Sequence, residues 1–177
     1  MRSVVVEQHD LPIVHLMLFF EASPIFDPPG REGLTALTNR MLLRGTMVRD
    51  RRGIEDAVED LGTELLTATQ SYGLGIGAVI LSRHLDAFIE LLGEVLTQPA
   101  FEQTELEKVK REMMADLESA LDEDGPLSRI WFRRSVFGDH PLSRGAMGTP
   151  STLAAITRED VVAHHRRLYT KRHLIIS

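Results

Sequence analysis

Ala36, Asn39 and Arg40 lie within the stretch Gly33 to Thr46, where apolar Leu34, Leu37 and Met41 recur at helical spacing. Residues i, i+3 and i+4 of a helix share one face, so these three side chains are neighbours there. Histidine, glutamate and histidine at that spacing, H-x-x-E-H, would hold one zinc ion between two neutral imidazoles, and the carboxylate would activate a water. Alanine offers no lone pair, and arginine brings a permanent positive charge to the place a dication would take. The segment predicts no metal and no catalytic group, and nothing else in the sequence points to a cofactor.

Seven histidines invite a search for a different metal site. His164 and His165 are neighbours on a predicted helix, so they diverge by about 100° and cannot chelate one ion as an i, i+4 pair would. One is expected to pack and the other to lie on the helix surface. His9, His15, His84 and His173 stand alone. Neither Ser82-Arg83-His84 nor Ser143-Arg144 has a companion that would make a nucleophile and base. Glu112, Asp116, Glu118 and Asp122 form an acidic stripe, expected as a solvated helix face. The run Arg129 to Arg134 encloses Trp131 and Phe132, and fits either a partner surface or an amphipathic helix facing the core.

The chain has 177 residues, enough for one domain with a real core, and its 43% hydrophobic and 26% charged residues are ordinary for a globular protein. A net charge of −6 argues against a nucleic-acid partner. The lack of cysteine excludes disulfides and thiolate metal sites. No apolar run approaches the ~20 residues of a membrane span, and Val4 to Val6 is too short for a signal-peptide core. The composition predicts a soluble protein and leaves its compartment, cytoplasmic or periplasmic, open.

The elements that must position these residues can be read from periodicity. Ile13 to Phe20 is a nearly continuous apolar run, predicting a strand buried on both faces, with Val4 to Glu7 as its hairpin partner. Glu21 to Arg31 reads as a loop, and the helix from Gly33 stops near Gly45. Ile54, Val58 and Leu61 mark a short helix closed by Gly62. Thr63 to Thr69 and Tyr72 to Leu81 read as adjacent strands joined by a tight turn at Gln70-Ser71. In the second strand Gly73, Gly75 and Gly77 form one bare face, which either a helix or another group approaches closely. Helices follow from Leu85 to Leu96, from about Thr104 to Asp122, and from Leu127 to Phe137. His140 to Pro150 reads as a loop, Thr157 with Asp160 opens a helix through Tyr169, and Leu174 to Ile176 begins a strand. The sum is one α+β domain over residues 1–177, a mostly antiparallel mixed sheet with helices packed on one face. A chain stopping inside an apolar strand is expected to be a fragment.

In order and spacing, these pieces resemble the N-terminal type of half-domain in the pitrilysin/insulinase (inverted zincin) family of metallopeptidases, which includes mitochondrial processing peptidase. The resemblance rests on Leu11-Pro12-Ile13-Val14, Ala22-Ser23, Asp27-Pro28, Gly30, the Gly33-Leu34 to Gly45-Thr46 frame and Phe101 with Glu105-Leu106-Glu107. It continues through Phe137-Gly138-Asp139-His140-Pro141, Gly148, Thr157 to Val161 and Tyr169. It implies that the two histidine positions of the family's zinc site fall on Ala36 and Arg40, the glutamate base on Asn39, and the third ligand on Asp116. Seventy-five residues lie between Arg40 and Asp116, close to the family's interval. A lone carboxylate beside a guanidinium holds no metal; the two either pair across the vacated site or both point into solvent. His140 before Pro141 is expected to serve a turn. The resemblance further implies a non-catalytic subunit, enclosing an extended peptide together with a catalytic H-x-x-E-H homologue as a heterodimer, or else a homo-oligomer. In such subunits an Arg/Tyr pair comes from a second half-domain, and no residue here takes that role. The alternative is a structural or assembly module resembling the core proteins of a respiratory complex.

Overall fold

The computed structural model describes residues 1–70 and 72–177; Ser71, in the expected Gln70-Ser71 turn, lies outside the described residues. The strands are β1 (Arg2–Ser3), β2 (Ile13–Phe20), β3 (Leu66–Gln70), β4 (Gly73–Leu81) and β5 (Leu174–Ile176). They form one sheet in the order β1-β5-β2-β4-β3, antiparallel except for the β1–β5 pair. The helices are α1 (Leu34–Met41), α2 (Arg51–Asp60), α3 (Leu85–Thr97), α4 (Gln103–Asp122), α5 (Asp124–Phe137), α6 (Pro150–Ala155) and α7 (Arg158–Leu168).

Leu18 and Phe20 of β2 and Leu74, Ile76 and Ile80 of β4 give the sheet its buried face. Against it pack Leu37 and Met41 of α1, Phe88 and Val95 of α3, Leu106, Val109 and Met113 of α4, and Val161 of α7. The amphipathic periodicity of α3 and α4 translates directly into this layer. Local chemistry sets the ends: Asp50 accepts from the Gly53 amide to cap α2, and Thr157 and Asp160 close a capping box on α7. Gly45 and Gly62 follow α1 and α2 with φ of 136° and 66°, where a side chain would be strained.

Several expectations are corrected. Val4 to Glu7 is not the hairpin partner of β2. The slot beside β2 is taken by β5, with Leu18 opposite Ile176 and the Met17 amide donating to the Ser177 carbonyl, so β1 pairs parallel on the far side. β2 is buried on one face only, with His15 and Ile13 exposed on the other. Among the described residues the glycine face of β4 is met by β2 rather than by a helix, the Phe19 side chain at Gly73, the Met17 side chain at Gly75 and backbone atoms at Gly77. α5 begins at Asp124, since Gly125 and Pro126 fit its first turn. The loop expected up to Pro150 gives way to the six-residue α6, started by a Thr149–Thr152 capping box.

Candidate functional site

α1 is buried almost from end to end, and it has no side-chain cap of its own because Gly33 stands at its N-cap with φ 96°. Asp27 supplies the cap from the preceding loop. Its carboxylate accepts from the backbone N–H of Gly33 (3.0 Å) and of Thr35 (3.2 Å), and from the Thr35 hydroxyl. With its proton committed to Asp27, Thr35 Oγ1 is left to accept from His164 Nε2 at 2.8 Å. The same tautomer leaves His164 Nδ1 free to accept from Arg167 Nη2 at 3.3 Å. Asp27 and His164 are only 4% and 3% exposed. Burial raises the Asp27 carboxyl to about 6 against the pull of its hydrogen bonds. Burial, helped by the Arg167 and His165 charges, lowers His164 to about 4.

His165 is not the surface residue expected. Its Nε2 meets the Leu96 carbonyl at 3.0 Å, and its ring lies between Phe101 and Tyr169. Burial lowers its pKa although the Leu96 contact opposes the shift. His140 does serve a turn, where its Nδ1 accepts from the Leu142 amide.

The four singled-out positions divide. Ala36 is part of the core. Asn39, 2% exposed, donates from Nδ2 to Thr69 Oγ1 of β3 at 3.2 Å and accepts from the Tyr169 hydroxyl at 3.4 Å. It therefore ties α1 to the edge strand and to the end of α7, and burial keeps the Tyr169 phenol protonated far above neutral pH. Arg40 and Asp116 meet: Nη1 donates to Oδ2 at 2.7 Å. Arg44, one turn after Arg40, binds Glu112, one turn before Asp116 on α4, and its Nη1 lies 4.0 Å from Glu105. The result is a ladder of guanidinium groups from α1 and its following turn facing carboxylates of α4. Half of the expected acidic stripe is thus paired. A cleft of about 770 Å³ opens at the Arg44 end of the ladder. Its lining charges include two further matched pairs, Arg51–Glu55 and Lys108–Glu105.

Since Asp116 is 51% exposed, the Arg40 pair is screened. Arg40→Ala is expected to cost about 1 kcal/mol or less, falling with added salt. Urea unfolding in a double-mutant cycle with Asp116→Ala checks this, and a coupling above about 2 kcal/mol would contradict it.

Among the described residues no group of three or more His, Asp or Glu side chains converges as metal ligands, and no helix is long and apolar enough to cross a membrane. The sequence motifs gave no sign of the Asp27–Thr35–His164 network. Asp27-Pro28 is visible as a motif, but its partner lies on α7.

The model of the family Insulinase (Peptidase family M16) matches residues 3–149. A Helicobacter pylori protein named non-peptidase homolog YmxG is 26% identical over 170 residues, 96% of this chain and 39% of that protein. The probable mitochondrial-processing peptidase subunit beta of Arabidopsis thaliana is 21% identical over 90% of this chain and 30% of its own length. The crystal structure of a peptidase M16 inactive domain from Pseudomonas fluorescens superposes with a TM-score of 0.92 at 26% identity, over 98% of this chain and 42% of that one. The chain thus spans well under half the length of these relatives.

Proposed function

The chain belongs to the insulinase family (peptidase family M16), and from that premise we propose that it is a non-catalytic member which helps a catalytic partner enclose a peptide. The reading is supported by the α1–α4 seam, where the positions that the family resemblance assigns to an H-x-x-E-H motif hold Ala36, Asn39 and Arg40. There the Asp116 carboxylate is engaged by the Arg40 guanidinium, which competes with any metal for it. A dication placed at the seam would meet two guanidinium groups, Arg40 and Arg44. The names of two relatives, non-peptidase homolog and inactive domain, agree with a loss of catalysis in this part of the family. A peptide-holding role is supported by β3, which among the described residues pairs with β4 alone and so leaves one row of backbone groups open to an extended strand.

Two measurements test the reading. Metal analysis of the purified protein is expected to find zinc far below one ion per chain, and stoichiometric zinc would overturn the loss of the site. Tagged protein recovered from native extract is expected to bring down a homologue with an intact H-x-x-E-H. Recovery only within a membrane complex would instead favour an assembly module.

A further inference from the structure

Asp27, Thr35, His164 and Arg167 form a chain of hydrogen bonds that starts at the buried cap of α1 and ends on the exposed side of α7. With Asp27 ionised, every donor points the same way. Arg167 donates to His164 Nδ1, His164 Nε2 to the Thr35 hydroxyl, and Thr35 to Asp27 Oδ1. His164 Nε2 lies 3.9 Å from Asp27 Oδ1, too far for a direct hydrogen bond, so the hydroxyl connects them. A hydroxyl can turn its proton to either neighbour, and an imidazole can carry its proton on either nitrogen. The chain therefore has two polarities, and the charge of Asp27 selects between them. The surrounding charges are Glu32 beside Asp27, and His165 and Arg167 beside His164. Asp160, one turn before His164, is engaged by Arg31 at 2.9 Å.

We propose that these four residues form a proton-triggered switch, in which one proton taken up at Asp27 reverses the chain and detaches Arg167 from His164. The neutral acid keeps Oδ2 as acceptor for the Gly33 and Thr35 amides and carries its new proton on Oδ1, beside the Thr35 hydroxyl. An O–H there donates to Thr35 Oγ1, so the hydroxyl turns its own proton toward His164 Nε2. That nitrogen must now accept, and the ring proton moves to Nδ1 by exchange with water. The balance is one proton gained from solvent: the hydroxyl and the imidazole each keep one, and the carboxyl acquires one. Arg167 Nη2, 3.3 Å from Nδ1, then meets an N–H in place of a lone pair and turns out to solvent. Placing the proton on His164 instead would set an imidazolium beside Arg167, which burial and the Arg167 charge both oppose. Burial favours the neutral acid at Asp27 and sets the switch near pH 6. Acidification at the start of α1 is thereby reported at the exposed side of α7.

The switch does not depend on the peptide-holding role proposed above. Two-bond 1H–15N correlation spectra of the full protein, labelled with 15N-histidine, record which ring nitrogen of His164 carries the proton. In the wild type it is expected on Nε2 at about pH 7.5 and on Nδ1 at about pH 5, with the change centred near 6. Thr35→Val severs the chain and is expected to hold one tautomer at both pH values. Arg167→Ala removes the donor that favours a bare Nδ1, and is expected to move the change upward by about 0.5–1 pH unit. In Asp27→Asn the carboxamide oxygen stays with the two amides and the N–H₂ faces Thr35 as the acid would. Its His164 is therefore expected to carry the proton on Nδ1 even at neutral pH. The wild-type titration needs no variant to fold. An Nε2 proton at both pH values, an imidazolium forming as Asp27 titrates, or unfolding before the change would each overturn the switch. A tautomer that still follows pH in Thr35→Val, or a midpoint unmoved in Arg167→Ala, would overturn it as well.

Discussion

Gly77→Ala is expected to destabilise the protein by about 3 kcal/mol or more, an extreme effect for one methyl group. Gly77 lies in β4 between Met17 of β2 and Leu66 of β3. A Cβ there would stand 2.1 Å from the Leu16 carbonyl oxygen and 2.9 Å from Met17 Cα. Both are backbone atoms of the neighbouring strand, so neither can swing aside as a side-chain tip would. Relief requires β2 and β4 to separate, which breaks the longest ladder in the sheet. Gly93→Ala provides the opposite case. Gly93 sits in α3 with nothing within 4 Å of its Cβ position, and alanine there is expected to add about 0.5–1 kcal/mol. Urea midpoints of the two variants should move in opposite directions. Equal midpoints would show that β4 tolerates a side chain facing β2.

The second large effect is expected at Asp27. Asp27→Asn removes charge and acceptor capacity from the sole cap of α1 and turns an amide N–H₂ toward donors. The expected cost is about 2–4 kcal/mol. Its pH signature is more telling. The Asp27 carboxyl, raised to about 6, holds its proton more tightly folded than unfolded, so its contribution to stability falls as pH climbs from about 4 to 6. His164, lowered to about 4, binds its proton more tightly in the unfolded chain, so its contribution rises from about 4 to 6.5. Each is worth up to about 3 kcal/mol, and in the native protein they oppose one another. Relative to wild type, Asp27→Asn should therefore become steadily more stable as pH rises from 4 to 6. His164→Gln should become less stable over the same range. Chemical unfolding at several pH values decides, and parallel profiles for all three proteins would refute the opposing titrations.

What was legible in the sequence follows from what is local. The i, i+3, i+4 apolar pattern of Leu85 to Leu96 announces α3 because a helix repeats its burial every turn. Sequence leaves the Arg40–Asp116 pair as one of two alternatives, because two long charged side chains can meet or face solvent equally well. Strand pairing is not local, and nothing near Val4 says that β5 takes the place beside β2. α6 carries no sequence signal of its own, because six residues are too few to establish a period. Thr35 and His164 are 129 positions apart, and neither carries a sequence mark of its buried partner.

The strand order has a consequence in time. β5 is among the last segments of this chain to be made, yet it sits between β1 and β2, two of the first. At about 5–20 residues per second, ribosomal synthesis leaves the β2 edge without its neighbour for roughly ten to thirty seconds. During that interval Met17 and Leu18 present open hydrogen-bonding groups that invite pairing with any strand nearby. That exposure ends only when Leu174 to Ile176 arrive and close the edge.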